Sequence, residues 1–211
     1  MGETRQSYLL AAESAVRLLG HPAVAASWDK PSALVEFSVA GLAGHLAHQL
    51  VRVGDALAPN GPVQEPISLL EHYMRSPWVQ AGLDHESNLS IRRGGEAAAA
   101  AGPALLLERS QALLDMQRAA LASEPADRVV ITPAGWSLKL DDFLLTRLVE
   151  LVVHCDDLAA SVGVDTPALP SSVIDPVVEL LARLAVHRHG PTAVIRALSR
   201  AERAPATISA F

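Results

Sequence analysis

"RLVELVVHCDDLA", residues 147–159, sets an acid and an imidazole one helical turn apart among leucines and valines. An α-helix completes a turn every 3.6 residues, about 100° per residue. Arg147, Glu150, His154, Asp157 and Ser161 therefore fall on one line. Phe143 shares that line, and Val153 and Leu158 border it, so the polar face is one residue wide. A surface helix needs an apolar stripe of only about 100° and leaves the rest polar. A helix that is apolar nearly all round is a central one. Its polar line faces protein, and charges there need partners. Two arrangements answer that need. Arg147 with Glu150, and His154 with Asp157, are helix neighbours that can pair among themselves as an internal ladder. Alternatively, a carboxylate oxygen and an imidazole nitrogen one turn apart both reach one ion at about 2.0–2.2 Å, and Asp157 holds the other ring proton.

The rest of the chain suits a bundle around such a helix. Of 211 residues, 50% are hydrophobic and only 4% aromatic, with alanine and leucine abundant. That bias favours packed helices over a sandwich of strands. Helical spacing runs over 4–19, ended by Gly20 and Pro22. "SWDKPSALVEF" (27–37) reads as a connector, after which Ser38 N-caps a second helix over about 39–58. A shorter helix is expected over 66–80, and a third long one over 103–123. The stretch "GGEAAAAAGPA" before it reads as a helix edge or loop. Val129–Thr132 and Trp136–Leu140 read as a hairpin around Pro-Ala-Gly. Helix four spans about 141–162, with Asp141 and Asp142 at its N-terminus and Gly163 closing it. Helices over 172–188 and to about 200 follow, then a tail that is a strand or a loose end. The expected fold is mainly α: a four-helix bundle over 1–165, with the small β-hairpin before helix four. A helical C-terminal extension over 166–211 packs on the bundle to give a single domain.

Charge and cysteine usage exclude several roles. The net charge is −6 with no basic block, so nucleic acid is not an expected partner. Cys155 is the only cysteine, which excludes an internal disulfide and fits a reducing compartment. No apolar run of about 18 residues exists, and the first residues lack a signal-peptide pattern. A cytoplasmic protein without membrane contact is expected.

Two ligands on helix four need a third. His72, His85, His187 and His189 lie in charged or loop-like stretches and read as surface; His21 lies in a linker. In helix two, His45 stands at the margin of the apolar face formed by Val39, Leu42, Leu46, Leu50, Val53 and Leu57, while His48 turns away beside Arg52 and Asp55. Gly41 and Gly44 leave room for another helix to approach. By wheel position alone, His45 is as well explained by packing as by ligation.

At this point two stretches matter together. "SWDKPSALVEFSVAGLAGHLAH" (27–48) and "RLVELVVHCDDLAASVG" (147–163) resemble the two helix signatures of the mycothiol-dependent maleylpyruvate isomerase N-terminal-domain family, within the DinB-like superfamily. "RVVITPAGWSLKLDDFLLTR" (128–147) and the last 25 residues, from His187, resemble one actinobacterial branch of it. The resemblance implies a DinB-like four-helix bundle holding a divalent metal, zinc above others, on His45, Glu150 and His154, with a fourth position open. Arg147 and Asp157 then support the ligands. It implies mycothiol as the thiol cosubstrate, a metal-bound thiolate as nucleophile and a small electrophile as target. The function expected is a thiol transferase or isomerase; the alternative is a metal-binding sensor or accessory protein without turnover. A homodimer is compatible with either. Two departures stand out. The family's Gly-Trp before helix two is Glu36-Phe37 here. The family's isomerase carries a functional arginine in an additional α/β domain, with no assigned counterpart among Arg196, Arg200 and Arg203.

The remaining polar groups have simpler readings. Ser137 and Ser161 lack a nucleophile-elbow context. Cys155 reads as a buried core thiol. Arg92 and Arg93 in "IRRGGE" (91–96) read as part of a solvated loop, with an anion clamp as the functional version. Trp78 and Trp136 read as packing anchors, and Arg147 as the residue that orients Glu150 or pairs with Asp157. No residue is assigned a catalytic or cofactor-binding role.

Overall fold

A computed structural model describes residues 2–58, 61–79 and 84–211. The helices are α1 (Glu3–Leu19), α2 (Pro22–Ala26), α3 (Val39–Leu57), α4 (Leu69–Arg75), α5 (Glu86–Ala99) and α6 (Pro103–Ser123). Strands β1 (Val129–Ile131) and β2 (Ser137–Lys139) lead into α7 (Leu140–Val162), α8 (Ser171–His189) and α9 (Pro191–Ser199). Single 3-10 turns lie at Pro77–Val79 and Ala201–Arg203. Helix α7 packs on α1 and α3, and α6 packs on the same two from the other side, which closes a four-helix ring. Helix α8 lies against α7 and α1, and α9 lies on α8. Among the described residues no helix is long and apolar enough to cross a membrane.

The core is the apolar spacing made solid. Tyr8, Leu42, Leu46, Leu50, Leu114, Leu121, Leu144, Leu148 and Leu151 are fully buried, each leucine stabilising by about 2 kcal/mol. Two polar devices fix the ring. Tyr8 Oη donates to Gln117 Oε1 at 2.7 Å, and Gln117 Nε2 donates to the Leu50 carbonyl at 2.6 Å. One buried amide thus joins α1, α6 and α3. Arg5, also buried, donates to the carbonyls of Glu124 (2.5 Å) and Pro125 (2.7 Å), just past the end of α6, and to Asp141 at 2.8 Å. Carbonyls at a helix C-terminus lack intrahelical donors and favour a cation. One guanidinium therefore ties the end of α6 to the start of α7.

The expected elements stand, with three corrections. The stretch read as a loop, "IRRGGE" with the alanines after it, lies mostly in helix α5. His85 caps α5, its Nδ1 accepting from the Ser87 amide at 3.2 Å. Two glycines disguised the helix, but Gly95 is where α3 and α5 touch. A β-carbon on Gly44 would overlap the Gly95 carbonyl oxygen, and one on Gly95 would overlap that of Gly41. The close approach that Gly41 and Gly44 permit is thus used, by a helix that was not expected. Second, the helix expected over 66–80 is shortened to Leu69–Arg75. Ser68 caps it, accepting from the Glu71 amide at 3.2 Å, and Pro77 follows its end. Residues before it instead lie along the hairpin, where the Ile67 amide donates to the Ser137 carbonyl at 3.0 Å. Residue 80 lies outside the described residues. Third, the tail after Arg203 is neither a strand nor loose: Phe211 stacks on Tyr73 with ring centres 5.7 Å apart. The hairpin pairs Val129 with Lys139 and Ile131 with Ser137, antiparallel, and Gly135 takes the positive φ of 94° that its turn requires.

Candidate metal centre

Helices α3 and α7 bring three donors together. His45 Nε2 lies 3.3 Å from Glu150 Oε2, and His154 Nε2 lies 3.4 Å from the same oxygen. One donor atom from each residue falls within 4.8 Å of the others. The two imidazoles meet edge to face at 4.7 Å between centres. The side chains are 11%, 15% and 16% exposed for His45, Glu150 and His154, so the cluster is largely desolvated yet reachable. The whole polar line is half-buried, while Asp156 and Ala160 carry the truly exposed side of α7.

Asp157 Oδ2 accepts from His154 Nδ1 at 2.9 Å. That bond keeps a ring proton on Nδ1 and makes Nε2 the nitrogen that faces the cluster. Arg147 touches neither Glu150 nor Asp157. It donates through Nη1 to Gln49 Oε1 at 2.6 Å and through Nε to Thr146 Oγ1 at 3.1 Å, over the Phe143 ring at 5.5 Å. The expected direct pairing of Arg147 is replaced by an indirect one, because buried Gln49 intervenes. Its Nε2 donates to the His45 carbonyl at 3.0 Å and lies 3.4 Å from His45 Nε2. Gln49 thus braces His45 as Asp157 braces His154. It escaped the sequence reading because a glutamine within an apolar helix carries no distinctive spacing.

Electrostatics set the protons. Burial alone would raise Glu150, but its contacts with His154 and His45, with the charge of Arg147, hold its carboxyl well below the usual range. Burial lowers His45, more than Glu150 raises it. His154 moves the other way: burial would lower it, but Asp157 and Glu150 together hold it up at about 9. Without an ion, then, Glu150 is a carboxylate between one neutral and one protonated imidazole. Two imidazole nitrogens and one carboxylate oxygen, oriented from outside, are the donor set a divalent transition metal takes.

Other expectations resolve as follows. Cys155 is buried, and burial pushes its thiol up to about 12, so it is an inert core residue. His48 is half-buried and off the cluster. Arg93 pairs with Glu86 at 2.5 Å on α5, both side chains exposed. The side chain of Trp78 lies outside the described residues. Trp136 is an anchor as expected, but its partner is unexpected: it donates to His72, which is 8% exposed and not a surface residue. Glu36 stands at φ 71°, a conformation that favours glycine, and Phe37 lies 5.9 Å from the His45 ring.

The model of the mycothiol maleylpyruvate isomerase N-terminal domain family matches residues 9–159. Among solved structures, the crystal structure of a mycothiol-dependent maleylpyruvate isomerase is similar, with a TM-score of 0.54 and 19% identity. The match covers 87% of this chain and 68% of that one. A histidine-to-alanine mutant of that isomerase is similar too, with a TM-score of 0.55, 17% identity and the same coverage. At such identities the likeness is one of fold. A comparison with curated proteins gave no match.

Proposed function

This chain belongs to the mycothiol maleylpyruvate isomerase N-terminal domain family, and from that premise we propose that it is a divalent-metal-dependent isomerase or S-transferase. It would use a low-molecular-weight thiol of the mycothiol type on a small electrophile. The observation that carries the reading is the convergence of His45 Nε2, Glu150 Oε2 and His154 Nε2 within 4.8 Å. The donor set fits zinc or a similar ion, and three protein ligands leave a position for an exogenous group. An ion held there supplies the Lewis acidity that keeps a thiol as its nucleophilic thiolate near neutral pH.

The chain's own residues prepare that chemistry. Glu150 brings negative charge to offset the ion. Asp157 keeps His154 in the tautomer whose Nε2 is free, and Gln49, oriented by Arg147, holds the turn of α3 that carries His45. The half-buried position limits water around the donors.

The test is metal analysis of protein purified without a nickel column, followed by turnover of monochlorobimane with mycothiol. One divalent ion per chain, lost in His154→Ala, with thiol conjugation above background, is the expected result. Substoichiometric metal unaffected by His154→Ala overturns it. A second reading, a metal-binding sensor or accessory protein, is motivated by the departure at Glu36-Phe37, with the Phe37 ring 5.9 Å from that of His45. Stoichiometric metal without turnover selects it.

A further inference from the structure

His72 and Trp136 lie outside the three-donor cluster. Trp136 Nε1 donates to His72 Nδ1 at 2.9 Å. An indole N–H can only donate, so Nδ1 presents its lone pair and the proton of the neutral ring resides on Nε2. The ring is held: it is 8% exposed, edge-on to Tyr73 at 5.3 Å and to Trp136 at 5.8 Å. Among the described residues nothing accepts from Nε2, yet this atom is not among the buried polar atoms that lack a partner. The N–H therefore opens onto accessible space. Helix α4, which carries His72, packs on α7. The charged side chains whose fields reach the ring are Arg147 and Glu150, both on the polar line of α7. Burial foremost, with the Arg147 charge, lowers His72 to about 4. At neutral pH it is an uncharged donor in one tautomer, within reach of the Glu150 charge.

We propose that His72 is a further catalytic residue, donating a hydrogen bond through Nε2–H to the carbonyl oxygen of an electrophile bound beside Glu150. The proposal rests on the reading of the protein as a thiol-dependent isomerase or transferase. In conjugate addition the thiolate sulfur forms a bond to the β-carbon of an unsaturated carbonyl compound. The alkene pair shifts toward the carbonyl, and the oxygen gains negative charge as an enolate. No proton leaves His72. An oriented neutral donor stabilises that oxygen more in the transition state than in the ground state, which is the requirement for acceleration. Trp136 is the positioning residue: it fixes which nitrogen carries the proton.

The experiment compares two reactions of mycothiol in one set of variants. Addition to benzylideneacetone, an unsaturated ketone, builds charge on oxygen; displacement on monochlorobimane lets the charge leave with chloride. His72→Phe is expected to lower the ratio of the first activity to the second about a hundredfold, the cost of removing one such donor. His72→Gln, which keeps an amide donor, is expected to restore part of it. A ratio unchanged within threefold overturns the proposal, because a merely structural role moves both activities together. Should wild type catalyse neither reaction, the functional reading itself has failed. A readout free of turnover separates the two cases: nitrogen-15 spectra of histidine-labelled protein are expected to show His72 as the Nε2–H tautomer, mixed in Trp136→Phe. An Nδ1–H tautomer in wild type overturns the proposal.

Discussion

Asp157 accepts the Nδ1 proton of His154 at 2.9 Å, three residues along the same helix. The bond uses the helix itself as a jig, since residues three apart share a face. Asp157→Asn keeps the shape but removes the charge that favours this tautomer. Metal affinity is expected to fall about ten- to hundredfold, the usual cost of losing such a partner. Competition with a chromophoric chelator measures it, and a loss below threefold would remove Asp157 from the ligand frame.

Metal removal reads the same frame through stability. An ion that binds only the folded chain stabilises it by about 2.7 kcal/mol at a hundredfold excess over Kd. Zinc added to chelator-stripped protein is expected to raise Tm by several degrees, and to raise it far less in His45→Ala or Glu150→Gln. Equal shifts in wild type and variants would place the ion elsewhere.

Two adjacent glycines in α5 make opposite predictions. A β-carbon on Gly94 meets nothing within 4 Å, whereas one on Gly95 would overlap the Gly41 carbonyl oxygen. Gly94→Ala is expected to stabilise by up to about 1 kcal/mol, because alanine suits a helix better than glycine. Gly95→Ala is expected to destabilise by about 1–3 kcal/mol as α5 is forced off α3. Urea unfolding of the two variants checks the pair, and a shared sign would contradict the packing.

His72 makes the chelator-stripped protein acid-sensitive. An unfolded histidine titrates near its ordinary value, about 6.5, while folded His72 titrates at about 4. Between those values the unfolded chain holds more protons, so acidification favours unfolding. The stability due to His72 is complete above pH 6.5 and is lost as the pH falls to 4, on the order of 3 kcal/mol in all. His72→Gln is expected to flatten that part of the stability curve. Parallel curves for wild type and variant would show that the ring is not shielded in the folded state.

What the sequence disclosed follows from periodicity. The narrow line from Arg147 to Ser161 marked α7 as central, and the ring of α1, α3, α6 and α7 is the bundle expected around it. His45, Glu150 and His154 do converge, and Asp157 does hold His154. Helix α5 was hidden because Gly94 and Gly95 lower helix propensity, while what secures it is contact with α3, absent from any local pattern. Gln49 and His72 were hidden for a related reason. Their roles depend on partners 98 and 64 residues away, Arg147 and Trp136, and a polar residue's depth cannot be read from its neighbours in the chain.

The hairpin between α6 and α7 separates two kinds of change. Arg5 fastens the end of α6 to the start of α7 directly, so the donor frame does not hang on the turn at Thr132–Trp136. The turn only delivers the indole that faces His72. Lengthening or rewriting it would move the indole that fixes the His72 tautomer and leave the three donors where they are. The five residues of that tip can thus change without disturbing the frame that holds His45, Glu150 and His154.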